Sequence, residues 1–432
     1  MIWIVYNLFF PVLLALVLPY YLLRMARRGG YARGFLQRVG IYDKVVAARL
    51  AERSRIWVHA VSVGETMVAL RFIERWRKLE PGVAFVLTVN TSTGQALAAK
   101  SLHPDDVMVY FPLDTPVVLA RVFRMLRPER LILTECEFWP NLIRMASRRG
   151  VPVMLINGRM SDRSYRGYQR FRFLFRRVLA MLDRLCVQGE RDRERFIALG
   201  AEPGRVQVTG SAKYDVAAQA PADVSVAAAI LADSGLGAGD VILLGGSTWA
   251  GEEAVLMDLF LRLRSRYPAL RLVLVPRHAE RRDAVVELIC ARGLTYVQRS
   301  KGRLPAGAER PDVLLADTTG ELRHLYAIAS VVFVGKSLTQ HGGQNPIEPA
   351  ACARPVVVGP NMENFRDVVE DFLAAGAVIQ VRNADELERR VDELLAEESL
   401  RAELGARALG VVERNRGSLD AMVAAAISAA RK

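Results

Sequence analysis

Past its first turns the chain alternates between short apolar runs and longer stretches in which apolar residues recur every three or four positions. The first kind reads as strand and the second as helix. IWVHAVSV (Ile56–Val63) reads as a buried strand, Glu65–Lys78 as a helix and VAFVLTVN (Val83–Asn90) as the next strand, with VMVYFPL, LILTEC, VPVMLIN and RLCVQG following at the spacing of βα units. Continuous apolar runs of this kind belong to strands covered on both faces, as in an open parallel sheet flanked by helices. Between Val216 and Asp240 the composition turns to Ala, Pro, Asp and Gly without a strong apolar strand, and the domain junction is placed there. A second series comprises VILLGGS (Val241–Ser247), LRLVLVP (Leu270–Pro276), DVLLAD (Asp312–Asp317), VVFVGKS (Val331–Ser337) and RPVVVGP (Arg354–Pro360), with one more strand in Ala374–Val381. The expected fold is α/β, two Rossmann-like doubly wound parallel-sheet domains facing a cleft at the carboxyl ends of their strands. The boundaries read as 1–23 for an amino-terminal segment, 24–215 for the first domain, 216–240 for a linker and 241–432 for the second domain, its last helix a candidate to fold back on the first.

The amino-terminal segment departs from this alternation. Met1 to Leu23 carries no charged side chain, and Arg24, Arg27, Arg28, Arg33 and Arg38 follow at once. That length crosses a bilayer at helical rise. No positive region precedes it and no A-x-A site closes it, which favours a retained anchor over a cleaved signal peptide. The arginines then mark the cytoplasmic side. A buried or interfacial helix is the competing reading, and Pro11 favours it. The net charge of +13 calls for an anionic partner, whether nucleic acid, lipid headgroups or phosphorylated substrates. Cys136, Cys186, Cys290 and Cys352 lie far apart without a C-x-x-C pair and read as reduced core thiols.

The loops after the strands hold the candidate chemistry. In GGQNPIEPAA (Gly342–Ala351) a glycine pair, able to bring backbone amides close to a ligand, precedes a helix begun by Pro346. Free amides at that start can meet a phosphate, and the Glu348 carboxylate can accept from ribose hydroxyls; a proline-started core helix looks the same. Glu65, in SVGET, is placed either to take a proton from a hydroxyl or to complement the helix dipole. TECEFWPN (Thr134–Asn141) sets Glu135 and Glu137 on one face of an extended segment, where like charges crowd unless one is neutralised or paired. Such a pair organises a site, or caps a helix and binds local arginines. Lys213 in GSAKYD (Gly210–Asp215) offers a cation to a phosphate or carboxylate, or is a solvated surface lysine. LVPRHAER (Leu274–Arg281) ends a strand with Pro276 and Arg277, a fork for an anion, and ADTTGEL (Ala316–Leu322) puts Gly320 and Glu321 near a helix start. VGKS lacks the first glycine and spacing of a P-loop. His59, His103, His278, His324 and His341 show no metal-ligand spacing, so no protein-bound metal is expected.

Taken in order, SVGE ending at Glu65, TECEFWPN, INGRMSDRSY (Ile156–Tyr165), GSAKYD, PRH and GGQNPIEPAA resemble the 3-deoxy-D-manno-octulosonic acid (Kdo) transferases of lipopolysaccharide synthesis, glycosyltransferase family 30, over nearly the whole chain. The resemblance implies a GT-B enzyme that moves Kdo from CMP-Kdo to lipid IVA, the tetra-acylated lipid A precursor. It places the reaction at the cytoplasmic face of the inner membrane, inverting the anomeric centre without metal or cofactor. It implies Glu65 as general base, with Glu135 and Lys213 supporting the transition state. Pro276, Arg277, Gly320, Glu321, Leu322, Asn345, Pro346, Ile347 and Glu348 match the CMP-binding set. The basic charge then finds its partners in an anionic bilayer, a bisphosphorylated glycolipid and an acidic sugar nucleotide, with no nucleic acid among them. The stretch Arg163–Arg177 interleaves Tyr165, Tyr168, Phe171, Phe173 and Phe175 with six arginines, and reads as a membrane-facing surface or as an ordinary amphipathic helix. Two rivals share these features: a GT-B enzyme using a UDP-sugar on another lipid acceptor or a peptidoglycan precursor, and a membrane-anchored anion-binding scaffold with a dead site.

Overall fold

The computed structural model describes residues 3, 6–9, 16, 34–218, 222–237, 239–305 and 307–429. The chain divides into two compact units, Met1–Val216 with Arg416–Lys432, and Ala217–Asn415.

Among its described residues the first unit holds seven strands, β1 (Ile56–Ala60), β2 (Phe85–Val89), β3 (Val107–Tyr110), β4 (Arg130–Thr134), β5 (Val153–Gly158), β6 (Arg184–Val187) and β7 (Val206–Val208). They pair in parallel in the order β3-β2-β1-β4-β5-β6-β7. Because successive side chains point to opposite faces, the apolar runs fill two separate cores. Trp57, Val86, Leu131, Leu133 and Leu155 pack on one face with Phe123 and Leu142. Val58, Leu87, Ile132 and Ile156 pack on the other with Val68, Phe72 and Trp76 of the Val63–Leu79 helix. The last helix, Ser418–Ser428, closes that second face with Leu419, Met422 and Val423. Its start is fastened by the Asp215 carboxylate, which accepts from the Gly417 and Leu419 amides at 2.7 and 2.9 Å.

The second unit repeats the plan with β8 (Val241–Thr248), β9 (Leu270–Pro276), β10 (Tyr296–Gln298), β11 (Val313–Leu315), β12 (Val331–Val334), β13 (Val356–Val358) and β14 (Ile379–Gln380). The order is β10-β11-β9-β8-β12-β13-β14, again parallel. The order reverses between β1 and β4 in one sheet and between β8 and β12 in the other. Loops leaving a sheet at such a switch point diverge and open a crevice at the strand ends.

Some details differ from the sequence reading. β1 ends at Ala60, because Ser62 caps the following helix and turns the chain early. β7 and β10 carry no long apolar run: each is a three-residue strand at a sheet edge, and Gln207 and Val208 are exposed. The junction segment contains a helix, Val224–Asp233, capped by Asp223 and burying Ala227, Ile230 and Leu231. Cys290 is exposed rather than in a core.

The stretch read as an anchor, with Arg24, Arg27, Arg28 and Arg33, lies outside the described residues except at 3, 6–9 and 16. Among the described residues no helix is long and apolar enough to cross a membrane. Residues 6–9 are helical. The Tyr6 hydroxyl donates to Asp114 Oδ2 at 2.9 Å, Asn141 donates to Asn7 at 2.7 Å, and the Arg144 guanidinium lies 4.7 Å over the Trp3 ring. Arg38 donates to the Asn90 carbonyl at 2.8 Å and lies over Tyr110, so its guanidinium is engaged by the first unit and not held out towards headgroups.

Candidate active site

At the first switch point the chain turns from β1 into a helix whose first turn is a reciprocal capping box. Ser62 Oγ accepts from the Glu65 amide at 3.2 Å, and Glu65 Oε1 accepts from the Ser62 amide at 3.2 Å. Glu65 Oε2 accepts from the Val61 amide at 2.9 Å and lies 3.0 Å from the Thr134 hydroxyl at the end of β4. With the side chain only 6% exposed, these donors fix the carboxylate where the sheet order reverses. A carboxylate has about four lone-pair directions, so it keeps capacity for a proton. Helix capping therefore does not use up the acceptor capacity of this one group.

Two further carboxyls stand beside it. Glu135 adopts a left-handed φ of 52°, and its amide donates to the Ile156 carbonyl at 3.0 Å. Burial drives its carboxyl upward; Lys213 and Arg159 pull it down, while Glu65 adds to the rise. Glu137 is pushed up to about 7 by burial first and by Glu65 and Glu135 after it, against a hydrogen bond from the Trp139 indole at 3.2 Å. The crowding expected of the two acids is thus relieved by favouring their neutral forms. An aromatic wall continues from Trp139 through Phe111 to His59, whose ring stacks on Phe111 at 3.8 Å. Burial pushes His59 down to about 3, which keeps it neutral.

Lys213 enters from the Ala212–Ala218 helix after β7, and its charge reaches Glu135. The Ala212 amide just before it donates to Asn157 Oδ1 at 3.0 Å. Glu65, Glu135, Glu137 and Lys213, drawn from three separate segments, therefore form one cluster. Thr134, His59 and Asn157 join it without having been singled out. Their signal was present in the TEC, VHA and ING strand ends, where a polar residue closes an apolar run.

In the second unit the loops after β8 and β12 are tied by one buried residue. The Glu252 carboxylate accepts from the amides of Trp249, Lys336, Ser337 and Leu338 at 2.8–3.0 Å. The loops pass so closely that a Cβ on Gly335 would lie 2.4 Å from the Ser247 carbonyl. Lys336 Nζ sits 4.6 Å over the Trp249 ring, which meets His278 edge-on at 5.1 Å. Pro276 ends β9 in the core, and the Arg277 amide donates to Thr248 at 3.0 Å. Asn345 Nδ2 donates to Glu348 Oε1 at 3.0 Å; burial raises the Glu348 carboxyl, and Arg277 and Arg323 lower it. Arg277, Arg323 in the turn after Gly320, and Asn345–Glu348 thus converge.

Three expectations for this half are corrected. Gly342 and Gly343 do adopt left-handed φ values, 118° and 72°, but their amides donate to Glu363 at 2.7 Å and to the Lys336 carbonyl at 2.9 Å, so they are not held open for a ligand. The Ile347 amide at the start of the Ile347–Ala351 helix is taken by Asn345 Oδ1 at 3.0 Å. The Glu321 carboxylate pairs with Arg299 at 3.2 Å and accepts from the Thr318 hydroxyl, which leaves the exposed Gly320, φ 94°, and the Leu322 helix start to shape that turn.

Residues 33–216 match the family model described as 3-deoxy-D-manno-octulosonic-acid transferase (kdotransferase), and residues 309–410 match that of glycosyl transferases group 1. A 3-deoxy-D-manno-octulosonic acid transferase of Haemophilus influenzae is 31% identical over 396 residues, 91% of this chain and 90% of the relative. The chain belongs to the Kdo transferase family. A Bordetella pertussis member is 37% identical over 76% of this chain and 76% of its own length. Membership makes the protein a Kdo-transferring glycosyltransferase of lipopolysaccharide synthesis. A solved glycosyltransferase from Rickettsia africae, 12% identical with a TM-score of 0.59 over 88% of this chain and 98% of its own, shares the GT-B fold.

Proposed function

We propose that the protein transfers Kdo from CMP-Kdo to lipid IVA with inversion, using Glu65 as general base and no metal. The observation that carries this reading is the Glu65 carboxylate, fixed by the Val61 and Ser62 amides beside Glu135 and Lys213. In the reaction an acceptor hydroxyl attacks the anomeric carbon of Kdo as its proton passes to a Glu65 oxygen. The bond from that carbon to the CMP oxygen breaks, and its electron pair leaves with the phosphate. Lys213 and Glu135 support the developing charge, while Arg277 and the Asn345–Glu348 turn hold CMP, Glu348 accepting from the ribose. Pro276, Gly320 and Leu322, with the main chain of Glu321, complete that nucleotide wall through their strand-end turns.

A lipid acceptor supports a location at the inner membrane, with the amino-terminal segment as anchor and both units on the cytoplasmic side. An exposed face supports that location: Phe171 and Phe173 project among the exposed Arg163, Arg166, Arg170, Arg172, Arg176 and Arg177. The test is incubation of purified protein with lipid IVA and a CMP-Kdo-generating system, the glycolipid being weighed by mass spectrometry. One or more Kdo additions are expected from the native protein and none from Glu65→Ala, with protection of both by CMP. Protection by UDP in place of CMP, or full turnover by Glu65→Ala, would overturn the reading.

A further inference from the structure

We infer that Asn157 positions Lys213, and that its side chain must be neutral because the cluster already holds three carboxyl groups. The inference rests on the role given above to Lys213. Asn157 is fully buried at the end of β5, where the pairing with β6 slips between Leu155 and Gly158. Its φ of 53° lies in the left-handed region, which asparagine tolerates better than most residues. This turn has three consequences. The Asn157 carbonyl accepts from Gln188 Nε2 at 3.1 Å on the β6 side. Its Oδ1 accepts from the buried Ala212 amide at 3.0 Å, holding the first turn of the helix that carries Lys213. One residue earlier, the Ile156 carbonyl holds the Glu135 amide at 3.0 Å. The end of β5 thus fixes both members of the Glu135–Lys213 pair, one through its main chain and one through a side chain.

The choice of residue is constrained from several sides. Glycine adopts the φ freely but leaves the buried Ala212 amide without its acceptor. Aspartate keeps an acceptor and tolerates the φ, but adds a negative charge to a cluster that already holds the Glu65, Glu135 and Glu137 carboxyls. Asparagine meets the conformational and hydrogen-bonding demands without charge, at the expense of an Nδ2 that has no hydrogen-bond partner among the described residues.

The test uses the full chain with lipid IVA and CMP-Kdo, comparing Asn157→Gly, Asn157→Asp, Lys213→Ala and the Asn157→Gly/Lys213→Ala double variant, each checked by thermal unfolding and CMP protection. Asn157→Gly should lower kcat about 100-fold, the scale of a small misplacement of a working group, with the donor KM within about twofold. The double variant should be no slower than Lys213→Ala, since both changes act through one group. Asn157→Asp should lower turnover at neutral pH by moving the acid limb of its rate profile to higher pH, and an unshifted profile with native turnover would overturn the demand for a neutral side chain. Near-native turnover by Asn157→Gly, or losses that multiply in the double variant, would overturn the inference. Amine labelling of Lys213, read by peptide mass without substrate, separates this inference from the function. A severalfold change in labelling in Asn157→Gly supports positioning even if no Kdo is transferred, and unchanged labelling refutes it even if transfer proceeds.

Discussion

Replacing Glu137 by glutamine should stabilise the first unit at neutral and alkaline pH, and the gain should fade in acid. The Glu137 carboxyl rises from 4.5 to about 7, chiefly through burial and then through Glu65 and Glu135. The folded protein therefore holds this proton more tightly than the unfolded chain does. Its contribution to stability is fully present below pH 4.5 and is lost as pH climbs through about 7. At ~1.4 kcal/mol for each pH unit between those values, the loss above pH 7 amounts to about 3 kcal/mol as a ceiling. Solvent screening of the partly exposed carboxyl reduces this to ~1–2 kcal/mol. Glutamine removes the charge and keeps an oxygen for the Trp139 indole. The assay is urea unfolding of the full chain at pH 5 and pH 8, followed by tryptophan fluorescence; Trp3, Trp57, Trp76 and Trp139 lie in the first unit and Trp249 in the second. The variant should gain ~1–2 kcal/mol over the native protein at pH 8 and less than about half of that at pH 5. An equal gain at both values, or a loss at pH 8, would refute the ionisation argument.

Other outcomes follow from single contacts. Arg281→Ala leaves the fully buried Glu253 carboxylate without its two-pronged partner, at 2.7 and 3.2 Å, and should destabilise the second unit by ~3–5 kcal/mol in chemical denaturation. Gly246→Ala places a methyl group 2.5 Å from the Tyr326 hydroxyl and should cost about 1–3 kcal/mol, read as a lowered Tm that CMP only partly restores. Turnover should persist after dialysis against EDTA; loss that a divalent ion restores would refute the metal-free mechanism.

Strands buried on both faces were legible because their apolar runs are continuous, as in β1 and β8. The edge strands β7 and β10 were not, since a glutamine, Gln207 in one and Gln298 in the other, leaves each three-residue strand only two apolar residues. Among candidate site residues, Glu65 was legible from its place after a strand and a glycine. Its partner Thr134 was not, because that contact depends on β4 lying next to β1, a consequence of sheet order. Glu252 and Asn157 escaped for a related reason: each works by closing backbone hydrogen bonds in loops distant in sequence. The glycine pair at Gly342 and Gly343 showed the converse limit. Its conformation was readable, but the acceptors of its amides, Glu363 and Lys336, were not.

The return of the Ser418–Ser428 helix to the first sheet sets an order on the protein's birth. Residues 217–415 form a unit that is complete once they have left the ribosome. The first unit, although synthesised earlier, lacks one wall of its core until Leu419, Met422 and Val423 emerge. The nascent chain therefore carries an open, apolar sheet face while the later unit folds. A frameshift that removes the Ser418–Ser428 helix would strike the part of the molecule made first, including the Val63–Leu79 helix that carries Glu65, rather than the part made last.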